Sequence, residues 1–376
     1  MAATDRAFGR MFARVATALV HGLGALAGLL FGQQARAVDL PGDKAEAMLH
    51  AYDGGGVRAN GPAFLVRKSI ADRVSLNGSY YVDMVSNASI DVVTTASPFK
   101  ETRNAYEVGA DYAVRDTLMS LKLSRSDEPD YKSDSLGADI SQEVFGGMTT
   151  VSLGFSRGSD DVYKKNEPGF HDTVTRWQYR LGVTQILTPR LLASANFEAV
   201  SEDGFLGSPY RVARVFGAAV PERNPRARTS RALQLRAVWD MGSQDALAGG
   251  YRYFWDTWDV RAHTFEVEYR RHVAPGWLAS AHLRYHAQDA ALFYSDNATV
   301  ETTYISRNRQ LSKFNDVAIG AKATYTFASA PGRYELQAHA NYEYLRFDFD
   351  NFTDLRSGKA YAFNAHVLQL LVTASF

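Results

Sequence analysis

The chain of 376 residues carries 41 Lys and Arg against 41 Asp and Glu, so no net charge draws it to nucleic acid or to an anionic surface. Hydrophobic residues at 46%, with 20 Tyr and 21 Phe, exclude a disordered chain, and a slightly negative mean hydropathy excludes a bundle of membrane helices. The absence of Cys excludes disulfides, cysteine nucleophiles, zinc–thiolate sites and iron–sulfur clusters.

Residues 1–37 read as an export signal. Arg6, Arg10 and Arg14 precede an apolar stretch, VATALVHGLGALAGLLF, which is followed by Ala35-Arg36-Ala37. That order of basic, apolar and small-x-small segments predicts cleavage after Ala37. The competing reading, a membrane anchor, is disfavoured because His21, Gly22, Gly24 and Gly28 interrupt a span short of the usual ~20 residues. The mature domain is then expected to be 38–376.

From there the chain reads in twos. A first strand is expected near 45–52, and Asp53-Gly54-Gly55-Gly56-Val57 reads as a tight external turn. Its glycines resemble a phosphate loop only superficially, since no helix follows. Tyr106, Val108, Ala110, Tyr112 and Val114 then alternate with Glu107, Gly109, Asp111 and Ala113, and after Arg115-Asp116 the pattern restarts at Met119, Leu121 and Leu123. Period two predicts strand. Seven hairpins follow this rule, over 61–84, 104–126, 132–157, 172–200, 229–256, 260–287 and 313–346, and a last strand is expected over 363–376.

Strand length and connection length decide between a soluble sandwich and a membrane barrel. The strands run about 10 to 14 residues, enough to cross a bilayer at a tilt. Short turns, as at Arg115-Asp116, 145–147 and 274–276, alternate with longer polar segments at 85–103, 158–171, 201–228, 288–312 and 347–362. Trp177, Trp239, Trp255, Trp277, Tyr80, Tyr253, Tyr325, Phe327, Tyr334 and Tyr344 fall near the ends of the apolar faces, where aromatic girdles belong. The predicted fold is an all-β, transmembrane antiparallel β-barrel of about 16 strands, with 14 as the alternative because the first strand is the weakest. An even count places both termini in the periplasm. The terminal strand, ending on Phe376, resembles the sorting signal of bacterial outer-membrane proteins and implies the barrel-assembly machinery as a partner.

Inward positions in the first half of the barrel carry Asp83, Glu107, Asp111 and Asp139; later strands supply Arg176, Arg180, Arg236, Arg252, Arg284 and Lys322. Segregated into acidic and basic arcs, these would set a transverse field across a constriction; paired with neighbours, they would simply line a wet wall. Equal charge argues against strong ion selectivity in either case. His282 and His286 share one inner face and lack a third ligand, so they read as lining water.

Three local patterns point to other chemistry. Gly154-Phe155-Ser156-Arg157-Gly158 fits G-x-S-x-G, but a nucleophile elbow needs a strand-to-helix turn and this segment is expected to leave a strand for a loop. Asp348, Asp350 and Asp354 in FDFDNFTDL offer oxygens to calcium, although no Gly or Glu stands where an EF-hand needs it. Arg211, Arg214, Arg223, Arg226 and Arg228, in the segment 201–228, make a basic rim able to clamp lipopolysaccharide phosphates.

Asp53-Gly-Gly-Gly-Val57, GPAFLVRKS at 61–69, YYVD at 80–83 and above all SIDVVTTAS at 89–97 resemble domain of unknown function family 3570, over essentially the whole mature chain. The resemblance implies a bacterial outer-membrane barrel with no catalytic residues to carry over. Within SIDVVTTAS, Ile90, Asp91, Thr94 and Thr95 are expected to fold inward over the lumen or to pack on a partner, because the run is less polar than a solvated loop. The function expected is a porin-like channel or transporter for small polar solutes. A non-catalytic scaffold or partner-binding barrel is the alternative, and an outer-membrane hydrolase is third. Outer-membrane lipid and lipopolysaccharide are the expected surroundings; no cofactor and no nucleic acid partner are expected.

Overall fold

Extended backbone cannot satisfy its own amides, so each strand must find two neighbours. The computed structural model, which describes residues 38–87, 99–165 and 167–376, pairs them all the way round. In chain order the strands are β1 (Lys44–Gly54), β2 (Val57–Ala71), β3 (Val74–Asn87), β4 (Phe99–Val114), β5 (Thr117–Asp127), β6 (Tyr131–Val144), β7 (Thr149–Tyr163), β8 (His171–Thr188), β9 (Leu191–Gly204), β10 (Val212–Val215), β11 (Ala218–Pro221), β12 (Ala227–Gly242), β13 (Asp245–Asp256), β14 (Arg261–Ala274), β15 (Trp277–Gln288), β16 (Phe314–Ala330), β17 (Tyr334–Asp354) and β18 (Lys359–Ser375). Strands β10 and β11 form a separate hairpin; the other sixteen make one closed barrel in which every strand pairs with its neighbours in sequence and β1 closes on β18. The predicted count of sixteen is therefore the observed one. The segment 1–37, expected to be an export signal, and the run 89–97, with Ile90, Asp91, Thr94 and Thr95, lie outside the described residues.

The seven short turns stand where the alternation breaks. Where the turn must twist back most sharply the backbone goes left-handed, at Arg115 (φ 53°) and Phe145 (φ 53°). Register shifts by one residue beside five of these turns, between Ser69 and Ala71, Ile186 and Thr188, Asp240 and Gly242, His272 and Ala274, and Thr326 and Ala328. Such bulges bend a strand and increase its twist, as a closing barrel needs at its rim.

At the opposite end the strands run further than the polarity of the sequence suggested. Strand β7 continues to Tyr163, and 347–362, expected as a loop, is strand on both sides of a turn at 355–358. Beyond the bilayer a polar hairpin can keep its ladder while both faces meet water, so polarity marks the end of the membrane and not the end of the strand.

One face of the wall is apolar and bare. Leu49, Phe64, Val66, Val108, Leu153, Leu181, Phe265, Val267, Ile319, Leu368, Leu370 and Val372 are all exposed on the outside, Leu49 to 60%. A continuous belt of this kind is tolerated only against hydrocarbon. Trp239, Trp277, Tyr325, Phe327 and Tyr334 are likewise exposed on this outer face.

The seam between first and last strands is tied at the short-turn end. Asp43 accepts the Ser69 N–H at 2.6 Å and holds Lys68 Nζ at 2.8 Å, while its carbonyl accepts the Phe376 N–H at 3.1 Å. Lys68 Nζ also lies 4.8 Å above the Phe376 ring. The hydrogen bond to Lys68, followed by that from Ser69, lowers the Asp43 carboxyl to about 2. A depressed carboxyl contributes stability that is complete above its unfolded value of about 4 and is lost as pH falls through about 2. Folded protein, followed by its heat-modifiable gel mobility, should therefore weaken between about pH 4 and pH 2, and Asp43→Asn should remove that part of the pH dependence.

Candidate functional site

Because side chains alternate, the polar residue of each pair points into the barrel, and the ladder carries inner positions from strand to strand. Asp111 pairs with Ser120, Ser120 with Asp139, Asp139 with Gly154, Gly154 with Arg180 and Arg180 with Glu198. The ten lumen candidates, Asp83, Glu107, Asp111, Asp139, Arg176, Arg180, Arg236, Arg252, Arg284 and Lys322, all occupy inner positions of this register.

Their charges meet locally and do not form opposed arcs. Arg180 Nη2 lies 2.8 Å from Asp139 Oδ1, reaching across β7. Gly154 stands between them; a Cβ there would sit 2.3 Å from that Asp139 oxygen and 2.7 Å from Arg180 Nε, so the first glycine of the G-x-S-x-G pattern makes room for an ion pair. Gly320 does the same for His282, whose Nε2 reaches to 3.7 Å from Glu343 across β16. Arg176 joins Asp160 at 2.9 Å and Glu202 at 3.0 Å. Arg284 joins Asp316 at 2.7 Å, Arg236 and Arg270 share Glu268 at 3.7 and 2.6 Å, and Arg67 approaches Asp111 at 3.7 Å. Asp83 accepts from His50 Nε2 at 2.8 Å and lies 4.0 Å from Arg103. Among the described residues, Glu107, Lys122, Arg252, Glu266 and Lys322 face inward with no opposite charge within ion-pair distance.

Between these groups the interior is hollow. A cavity of about 600 Å³ is lined by Glu107, Asp111, Lys122, Asp139 and Arg180 with the serines of β5–β7, and Pro41 of the segment before β1 borders it. A second, of about 410 Å³, gathers Arg236, Glu266, Glu268, His282, Arg284 and Glu343. A third, of about 290 Å³, shares Asp139 and Arg180 with the first and adds Glu198 and Arg252. Asp83, Arg176 and Lys322 border none of the three.

At the end away from the short turns, the segment 289–313 packs over the barrel mouth. Its Ala291 and Leu311 are buried with Trp258 and Val260, and its Ala298 and Ile305 with Ala213 of the β10–β11 hairpin. The short 3-10 turn Arg309–Leu311 sets the Arg309 guanidinium 5.3 Å above the Phe363 ring and 5.8 Å from that of Tyr361. Arg307, only 6% exposed, holds the whole together. It pairs with Asp296 at 2.8 Å, donates to the Thr353 carbonyl at 2.6 Å, and lies 4.3 Å above the buried Phe352 ring. Among the described residues, 289–313 is thus the large inward-packed loop. Its apolar residues Ala291-Leu292-Phe293-Tyr294, Ile305 and Leu311 were the signal in the sequence.

The other patterns resolve into structure. Ser156 stands inside β7, at no strand-to-helix turn, and donates to Gln178 Oε1 at 2.9 Å. Asp348, Asp350 and Asp354 go to separate bases, Arg346 at 2.8 Å, Lys313 at 3.6 Å and Arg356 at 2.9 Å, so they do not converge on a cation. Among the described residues no three His, Asp or Glu side chains converge as metal ligands. His286 donates to or accepts from Thr264 Oγ1 at 2.8 Å and stands four residues from His282, about 13 Å along a strand. Four of the five arginines of 201–228 are used internally. Arg214 donates to the Gly217 carbonyl, Arg223 to that of Thr302, Arg226 grips both oxygens of Asp172, and Arg228 grips Asp256.

A closed sixteen-strand barrel with an apolar outer belt and a charged, hollow interior defines an outer-membrane β-barrel, and the bacterial outer membrane is its location. Within that class the chain belongs to the family described as "Protein of unknown function (DUF3570)", which matches residues 85–356. Its fold is similar to that of a FadL homologue of Pseudomonas aeruginosa, at 12% identity, covering 90% of this chain and 91% of that one, with a TM-score of 0.44. It is also similar to a loop-deleted OmpT, an outer membrane protein of Vibrio cholerae (9% identity, 90% and 98% covered, TM-score 0.45), and to a bacterial polysaccharide outer membrane secretin (9% identity, 90% and 100% covered, TM-score 0.49). None of the curated proteins matches the sequence.

Removing the Arg307 side chain empties the space over the buried Phe352 ring and takes the donor from the Thr353 carbonyl and from partly exposed Asp296, a loss of about 1 to 3 kcal/mol for a polar group left without its partner. Arg307→Leu should open 289–313 to limited proteolysis at protease levels that leave the wild type intact, while heat-modifiable mobility, which reports the barrel, stays unchanged.

Proposed function

We propose that the barrel is a porin-like passage for small polar solutes across the outer membrane, narrowed at its outer mouth by 289–313. The observation that carries this reading is the interior: a charged wall, many of whose acids and bases pair with one another, around cavities of about 600 and 410 Å³, in a barrel of a strand number that encloses an aqueous lumen in porins. A wall kept for packing alone is built from apolar side chains, since burying ion pairs repays their desolvation poorly. Charges that neutralise one another within 4 Å leave the lumen hydrated with little mean field, which suits polar solutes of either sign.

The supporting experiment is single-channel recording of refolded protein in planar bilayers. Stepwise conductance is expected, with cation and anion permeabilities equal to within about threefold. A variant in which a short Gly-Ser linker replaces 291–311 should conduct more, by about twofold or more. Silence in both wild type and linker variant, with the barrel verified as folded, would replace transport by a scaffold role.

A further inference from the structure

The outward face has charges as well as apolar residues, and two of them are unspent. Arg157 follows the outward series Val151, Leu153, Phe155 on β7, and Arg231 precedes Leu233, Leu235 and Ala237 on β12, so each is the first ionised residue above the apolar belt on the outer side. Other arginines of the outward face are neutralised in place. Arg125 lies 3.7 Å from Asp134, Arg261 is 3.0 Å from Asp259, and Arg346 is 2.8 Å from Asp348. Among the described residues, neither Arg157 nor Arg231 has a carboxylate within 4 Å.

Arg157 is held by the aromatic girdle, and Arg231 stands beside it in the ladder. The Arg157 guanidinium lies 4.9 Å from the Trp177 ring centre, and Trp177 packs on Phe155 at 5.6 Å. Arg231 is the register partner of Trp255 on one side and Ala199 on the other, and Trp255 stacks on Tyr253 at 5.2 Å. Two strands, β8 and β9, separate the two arginine strands, which are about 14 Å apart across the wall, and Arg231 stands two residues along β12 from Thr229, the position level with Arg157. An arginine on a ring face keeps its forked donors free, and a fork matches two oxygens of one phosphate. At the outer edge of the hydrocarbon, facing lipid, an unpaired cation meets lipid headgroups.

We infer that Arg157 and Arg231 form a lipid-facing site for the phosphate groups of a phosphorylated glycolipid in the outer leaflet, its sugar lying against Trp177 and its acyl chains along the apolar belt below. The site is separate from the lumen and does not depend on conductance. It also differs from the basic rim expected at 201–228, whose arginines are mostly held by their own chain.

Refolded full-length barrel in a neutral detergent, titrated with rough lipopolysaccharide and followed by the change in Trp fluorescence and by native mass spectrometry, tests it. Wild type should retain bound glycolipid, and Arg157→Gln with Arg231→Gln should lower the apparent affinity by roughly tenfold or more. Arg346→Gln, on the same face but already paired, should leave it within about twofold. Each single Lys variant, which keeps the charge and loses the fork, should fall between, and these serve if the double variant does not fold. Equal affinity of wild type and double variant would overturn the assignment. So would phosphatidylglycerol binding as tightly as the glycolipid, which would show general anionic attraction only, or displacement of the glycolipid by millimolar inorganic phosphate.

Discussion

Hydrocarbon offers a backbone amide no partner, so the first strand has to find the last. Strand β1 meets β18 from Lys44 opposite Ser375 to Gly54 opposite Ala365, and the circle is complete only when these two strands, the first and the last of the barrel, come together. Everything else hangs on this closure. It requires an even number of strands if both ends are to lie on one side, it puts all seven short turns on that side, and it separates an outer face from an inner one that cannot exchange residues without slipping register. The tie of Asp43 to Lys68, Ser69 and Phe376 joins three strands at the one place where the chain itself supplies no turn.

Closure also turns charge into a local matter. Inside a barrel, inner residues of adjacent strands stand about 5 Å apart, well under the screening length, so an acid and a base on neighbouring strands pair before either can contribute to a field across the lumen. Glycines at 154 and 320 extend this reach by one strand, letting Asp139 find Arg180 and His282 find Glu343. Many of the acids and bases of the inner wall are thus matched pair by pair, while Glu107, Lys122, Arg252, Glu266 and Lys322 stay outside ion-pair distance of an opposite charge among the described residues.

Much of this was legible in the residues. Alternation specified every barrel hairpin, because a side-chain period of two has only one backbone to match, and it placed Asp111, Asp139 and Arg180 on the inner face along with the other lumen candidates. Strand ends were legible only on the short-turn side, where bulges and glycines interrupt the pattern; on the far side β7 and β17 run on as polar hairpins that alternation alone does not bound. Of the outer cap, only the apolar residues of 289–313 gave a sign in the sequence, and the hub that fastens it was not legible. Arg307, Asp296, Thr353 and Phe352 come from distant points of the chain, and nothing in their local sequence distinguishes a buried arginine hub from a solvated loop cation.

The sequence by itself determined that this is a membrane barrel of fourteen or sixteen strands with a polar inside, since periodicity, strand length and an apolar outer face are properties of neighbouring residues. Which charges cancel, which loop covers the mouth and which arginines stay unpaired were decided only by the tertiary structure. An ion pair, a packed loop and a free cation are each defined by groups that the chain brings together from far apart, and neither composition nor period records who meets whom.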